Sequence, residues 1–133
     1  MTQAQIAAAL LVLMVAAGCG SDSTGANQPE PLPSNGISII AGAQTKGSAA
    51  FTPNPLSISL AGGGTVMWFN NDEAGGVYGG TGVVHNITAD DESFASGSLA
   101  PGATFQTILT TAGEHGYHCS IHPSMQGSVT VTP

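Results

Sequence analysis

Short runs in which apolar and polar residues alternate are the main structural signal along this chain. In the segment 56–60 apolar residues occupy every second position, and Val129 and Val131 repeat the pattern near the C-terminus. Successive side chains of a β-strand point to opposite faces, so each run has one face that can be buried. Runs of this kind predict strands at 37–41, 56–60, 65–70, 83–89, 104–110, 114–119 and 127–132.

Turn-forming residues separate these runs, at 61–64 and 100–102 for example. The chain has 133 residues with 19 Gly and 8 Pro, and only 7% of its residues are charged. This composition disfavours long surface helices, and the length allows one ordinary domain. We therefore predict an all-β protein in which short strands form a single β-sandwich core.

The N-terminal part of the chain has the features of an export signal. Residues 6–18 form an uncharged apolar run that is too short for a comfortable membrane span. The segment 15–19 resembles a bacterial lipobox, in which small residues precede a cysteine that becomes lipid-modified. The resemblance implies a lipoprotein-type signal peptide at 1–18 and lipidation of Cys19. Plain secretion and a retained anchor helix are the alternatives.

Residues 19–35 are almost entirely polar and end in a proline-rich stretch. Such a segment cannot bury enough apolar surface to offset its ordering entropy, so we predict a flexible linker. The folded domain is expected at 36–133, held at a membrane by the lipid on Cys19. This organisation predicts an exported protein of the cell envelope or periplasm.

The net charge of -7 arises from eight acidic residues and a single basic residue, Lys46. An acidic protein is repelled by phosphates, which argues against nucleic acid as a partner. The same charge can steer the protein towards basic partners, and a role in solubility alone is the alternative.

A thiol, an imidazole and a thioether follow one another at three-residue intervals, as Cys119, His122 and Met125. These donors suit copper far better than calcium or magnesium. Glycine and proline in the same stretch argue against a helix, so the three side chains can converge from a loop at the end of a strand. A neighbouring strand offers His85 as the fourth ligand.

These residues give the chain a specific family resemblance. His85-Asn86, together with Tyr117-x-Cys119-x-x-His122-x-x-Met125-x-Gly127, resembles the small blue copper proteins of the cupredoxin family, with a plastocyanin-like domain and the loop spacing of amicyanin. The resemblance implies a Greek-key β-sandwich of about seven to eight strands and one type 1 copper per domain.

The resemblance also implies a role for each site residue. His85, Cys119 and His122 would be equatorial copper ligands and Met125 a long axial ligand. The main-chain N–H of Asn86 would donate to the Cys119 sulfur, and the Asn86 side chain would tie the two ligand-bearing loops together. His122 would be the electron port, surrounded by an apolar docking patch.

The predicted function is that of a one-electron carrier, a monomer that meets redox donor and acceptor proteins transiently. No enzymatic activity is expected, because a multicopper oxidase needs more histidines than the four in this chain. The alternative is a copper-binding module for copper storage, delivery or sensing. A structural zinc site fits less well because a thioether is a poor zinc ligand.

The glycine-rich connection 71–82, with Tyr78 at its tip, is either a flap beside the site or a variable loop.

Overall fold

The computed structural model describes residues 31–73 and 82–133. The structure does not describe the predicted signal peptide at 1–18, the predicted lipidation site Cys19 or most of the predicted 19–35 linker. Tyr78 also lies outside the described residues. The division into signal, linker and domain therefore stays a prediction. Within the described part of the chain, no helix is long and apolar enough to cross a membrane.

Eight short strands make up the described structure. They are β1 Gly36–Ile39, β2 Phe51–Thr52, β3 Leu56–Ser59, β4 Thr65–Asn70, β5 Thr88–Ala89, β6 Thr104–Ile108, β7 Gly113–His118 and β8 Gln126–Thr132. Two 3-10 turns, Ala43–Thr45 and Gly47–Ala50, lie between β1 and β2.

The strands form two four-stranded sheets, in the orders β2-β1-β4-β6 and β3-β8-β7-β5. Each sheet has one parallel pair, β1 with β4 in the first and β3 with β8 in the second, and the other pairs are antiparallel. The apolar faces of the two sheets pack against each other, as period-two strands require. The prediction of an all-β sandwich with about seven to eight strands is confirmed.

Aromatic side chains from both sheets meet in the core. Trp68 of β4 is fully buried; its ring centroid lies 5.2 Å from that of Tyr117 on β7 and 5.6 Å from that of Phe105 on β6. Around them lie the other buried apolar residues, which include Ile37, Ile39, Phe51, Leu56, Val66, Ile87, Val129 and Val131. Because Tyr117 precedes Cys119 by two residues, this packing fixes the end of β7 relative to the first sheet.

The predicted strand at 83–89 is wrong over most of its length. Only Thr88–Ala89 joins a ladder, and His85 makes an isolated bridge with Leu99. The N–H of Asn86 points at the Cys119 sulfur, 3.5 Å away, so it is not available to a neighbouring strand. The short β2 was not predicted, since two residues carry too little pattern to be recognised.

Candidate metal centre

A compact loop joins β7 to β8. The two strands pair up to His118 opposite Gln126, which leaves residues 119–125 as the connection. The N–H of Cys119 donates to the carbonyl of Met125 at 3.1 Å, and the N–H of Met125 donates to the carbonyl of His122 at 2.9 Å. These two hydrogen bonds fold the loop back on itself, so residues spaced three apart face a common point.

The base of this loop is tightly packed around Gly127. A Cβ atom at this position would lie 2.5 Å from both Cζ and Oη of Tyr117, whose ring is completely buried. Only glycine permits such a close approach of main chain and ring. The glycine that follows the metal-ligand motif therefore serves packing.

Hydrogen bonds from β4 hold the segment that carries His85. The main chain of His85 exchanges two hydrogen bonds with Leu99, at 3.1 and 2.7 Å. The fully buried Asn70 donates from Nδ2 to the carbonyls of Val83 and Leu99, both at 2.8 Å. The position of His85 is thus set by its main-chain hydrogen bonds to Leu99 and by the side chain of Asn70, which binds Val83 and Leu99.

Three predicted ligands come together between the two segments. Sγ of Cys119 lies 3.9 Å from Nδ1 of His85 and 3.8 Å from Nδ1 of His122. The three donor atoms all lie within 4.8 Å of one another. His85, Cys119 and Met125 are each 0% exposed, whereas His122 is half-buried.

This donor set fits copper. A thiolate and two imidazoles, with a buried thioether on the same loop, combine soft and borderline donors that favour copper over hard cations. The four residues are arranged as a type 1 copper site, so bound copper would be shielded from water on all sides but that of His122.

The surroundings also favour the metal-binding form of the thiol. Burial raises the pKa of Cys119, but hydrogen bonds from His85, the Asn86 N–H and His122 outweigh burial and lower this pKa to about 6. Burial lowers the pKa of His85, and hydrogen bonds with Cys119 and Asp72 outweigh this effect, so the net direction is upward. A thiolate is the nucleophilic and metal-binding form of cysteine, and the site stabilises the Cys119 thiolate in the metal-free protein.

Asn86 connects the two segments through its side chain as well as its main chain. Its Nδ2 donates to Oγ of Ser120 at 2.6 Å, and the N–H of Ser120 donates to its Oδ1 at 2.8 Å. Together with the contact from the Asn86 N–H to the Cys119 sulfur, these bonds join the His85 segment to the loop 119–125 at three points.

One residue of the site, Asp72, was not predicted from the sequence. Its carboxylate is 1% exposed and its Oδ2 lies 2.8 Å from Nε2 of His85. The signal was present in β4, where Val66, Trp68 and Asn70 occupy the buried phase of the alternation. The same period of two continues to Asp72, which was assigned instead to the connection 71–82.

The comparisons with known proteins identify the family. Residues 40–132 match the family described as copper binding proteins, plastocyanin/azurin family. The chain is 32% identical to plastocyanin from Scenedesmus fuscus over 97 residues, which cover 63% of this chain and 90% of that protein.

Two solved structures extend the likeness to the fold. A novel purple cupredoxin from Nitrosopumilus maritimus is 31% identical with a TM-score of 0.60, over 73% of this chain and 98% of that chain. A Cu-containing nitrite reductase from Thermus scotoductus SA-01 is 28% identical with a TM-score of 0.56, over 84% of this chain but 25% of that chain. The prediction of a copper cofactor is confirmed. The chain belongs to the plastocyanin/azurin family of copper-binding proteins and is a cupredoxin.

Proposed function

We propose that this protein is a one-electron carrier in which His85, Cys119, His122 and Met125 hold one copper ion. Bound copper would supply a one-electron couple between Cu(II) and Cu(I). The observation that carries the proposal is the convergence of one buried thiol sulfur and two Nδ1 atoms, at 3.8 and 3.9 Å. Two imidazoles, one thiolate and a weak thioether are the donors of electron-transfer copper sites.

The protein holds these donors in place before metal binds. Asn70 fixes the His85 segment, and Asn86 joins that segment to the loop 119–125. A site with little freedom to rearrange keeps its geometry when the charge on the metal changes. Such a site suits fast electron transfer and offers no open position for a substrate, which favours a carrier over an enzyme.

We further propose that electrons pass through the face around His122. This side chain is half-buried, and two apolar neighbours on the same two segments are exposed, Val84 at 41% and Ile121 at 46%. Transient redox complexes use small interfaces, so a docking patch around these two residues need not be large. The partners would be a donor and an acceptor protein, each met transiently by a monomer.

The proposed location is the cell envelope or periplasm, with the domain anchored through a lipid on Cys19. The support is the lipobox-like segment at 15–19 and the polar linker that follows it. Replacement Cys19→Ser should move the protein from the membrane fraction to the soluble fraction and abolish incorporation of labelled fatty acid. Unchanged membrane association in this variant would contradict the lipid anchor.

Optical spectroscopy tests the proposed site. The Cu(II) protein should absorb strongly in the visible range through thiolate-to-copper charge transfer and be blue, and the colour should bleach reversibly on reduction. Cys119→Ser should abolish the absorption, and Met125→Gln should retain it with a changed reduction potential. Met67→Gln, which alters a thioether on β4 outside the cluster, should change neither. A colourless Cu(II) complex, or colour that survives Cys119→Ser, would contradict the proposal.

A further inference from the structure

The carboxylate of Asp72 stands directly behind one of the predicted copper ligands. It is 1% exposed, and its Oδ2 lies 2.8 Å from Nε2 of His85, the ring nitrogen that faces away from Cys119. Among the described residues, His85 is the one ion-pairing partner of Asp72. Burying a carboxylate is costly unless it is hydrogen-bonded or paired with a positive charge, so the position of Asp72 beside a ligand imidazole calls for an explanation.

The other contacts of Asp72 show that its carboxylate is a fixed acceptor. Oδ1 accepts the N–H of Gly42 at 2.7 Å, and Oδ2 accepts the N–H of Ala43 at 3.2 Å in addition to its contact with His85. Its own N–H donates to Oδ1 of Asn70 at 3.0 Å. Asp72 is therefore anchored from β4 and from the first 3-10 turn, so it cannot follow a rotation of the imidazole ring.

We propose that Asp72 is a positioning residue for the ligand His85 and that its negative charge favours Cu(II) over Cu(I). Because the carboxylate accepts a hydrogen bond at Nε2, the ring proton would stay on Nε2 when a metal replaces the hydrogen bond between Nδ1 and Cys119, and the lone pair of Nδ1 would be free for that metal. A carboxylate behind a ligand imidazole fixes the tautomer and the ring orientation and makes the imidazole a stronger donor. This inference rests on the proposed copper site but concerns a residue outside the ligand set.

Counting charges gives the direction of the effect. With Asp72 as a carboxylate and Cys119 as a thiolate, the buried site is neutral with Cu(II) and carries one net negative charge with Cu(I). Without the carboxylate, the Cu(I) state is the neutral one. Burying a net charge is unfavourable, so Asp72 reverses which oxidation state the protein interior prefers.

The two imidazoles are consequently unequal. His85 is buried and backed by Asp72, whereas His122 is half-buried, and no hydrogen bond from its Nε2 to the rest of the described chain is formed. The charge of Asp72 therefore acts on His85, whereas His122 lies close to the surface. We expect changes at Asp72 to reach the metal through His85 rather than through His122.

The test compares Asp72→Asn with Asp90→Asn. Asp90 is an exposed carboxylate that pairs with His118 at 2.7 Å, so its replacement removes one negative charge outside the site. Asp72→Asn should shift the equilibrium between the oxidation states towards Cu(I) by at least about tenfold, which corresponds to a rise of about 59 mV for one electron. Asp90→Asn should shift it by less than about threefold because its charge is screened by solvent. Equal shifts in the two variants would overturn the proposal.

A second measurement does not depend on the variant folding or on redox activity. In Asp72→Asn the new amide NH₂ would face either the main-chain N–H of Gly42 or Ala43 or the Nε2 of His85, and this clash can unfold the protein. In the unaltered protein loaded with Zn(II), nitrogen-15 NMR should find the His85 proton on Nε2, protected from exchange with water. A proton on Nδ1, or rapid exchange at Nε2, would overturn the proposal. If Zn(II) gives the expected signal and copper shows no reversible reduction, the proposed function fails while the positioning role of Asp72 stands.

Discussion

Removing the side chain of Asn86 should loosen the link between the His85 segment and the loop 119–125. Asn86→Ala deletes two hydrogen bonds with Ser120, of 2.6 and 2.8 Å, and leaves the main-chain contact to Cys119 in place. An intramolecular hydrogen bond contributes about 0.5–1.5 kcal/mol to stability. Ser120 is exposed and Asn86 half-buried, so water can replace part of the loss, and we expect about 1–2 kcal/mol.

Thermal unfolding of the metal-free protein measures this loss directly. In a domain of this size a loss of 1 kcal/mol lowers the midpoint by about 4–8 °C. Ser120→Ala removes only the bond to the hydroxyl and retains the main-chain bond, so it should cost about half as much as Asn86→Ala. Removing a residue that supports metal ligands should also weaken copper binding by about tenfold or more.

Ser38→Ala is the matched control for Ser120→Ala. It also deletes a hydrogen bond between an asparagine amide and a serine hydroxyl, the 2.8 Å bond from Asn71 to Ser38 in the first sheet. This control should lower the unfolding midpoint without changing copper affinity. If Asn86→Ala binds copper as tightly as Ser38→Ala, the hydrogen bonds between Asn86 and Ser120 have no role in copper binding.

Three further results are expected. In the metal-free protein the ultraviolet absorbance of the Cys119 thiolate should titrate with a midpoint near pH 6. Because folding lowers this pKa, the stability that the thiolate contributes should rise between about pH 6 and 9 and be lost as the pH falls through 6. A midpoint near the ordinary thiol value of about 8.5 would contradict the predicted environment. Gly127→Ala should cost about 1–3 kcal/mol by forcing the Tyr117 ring to move, whereas Ser128→Ala beside it should cost less than half as much; equal losses would argue against the packing explanation. Ile121→Lys should slow electron transfer with a redox partner without changing the reduction potential, and an unchanged rate would remove the docking role of this face.

Period-two alternation was sufficient to predict the sandwich. Six of the predicted strands, such as 65–70 and 127–132, overlap strands of the structure because their apolar positions match a buried face. The segment 83–89 failed because its main chain serves the site, through Asn86 and Cys119, rather than a ladder. The pairing of β1 with β4 was beyond prediction, since alternation identifies a buried face but not the neighbouring strand.

The candidate site was more predictable than the groups that surround it. Cys119, His122 and Met125 are close in sequence, and their donor chemistry indicates a metal without knowledge of the fold. Asp72 and His85 are 13 residues apart, and their contact exists only because β4 ends beside the His85 segment. The buried phase of β4 could have indicated Asp72, but an aspartate after a strand also fits an exposed turn, and only the fold distinguishes the two.

Voltammetry of the copper-loaded protein shows directly whether the site carries single electrons. We expect one copper per chain and a single reversible one-electron wave, which is lost in Cys119→Ser and keeps its shape in Met67→Gln. Copper that binds without a reversible wave, or a wave that persists in Cys119→Ser, would contradict an electron carrier built on His85, Cys119, His122 and Met125.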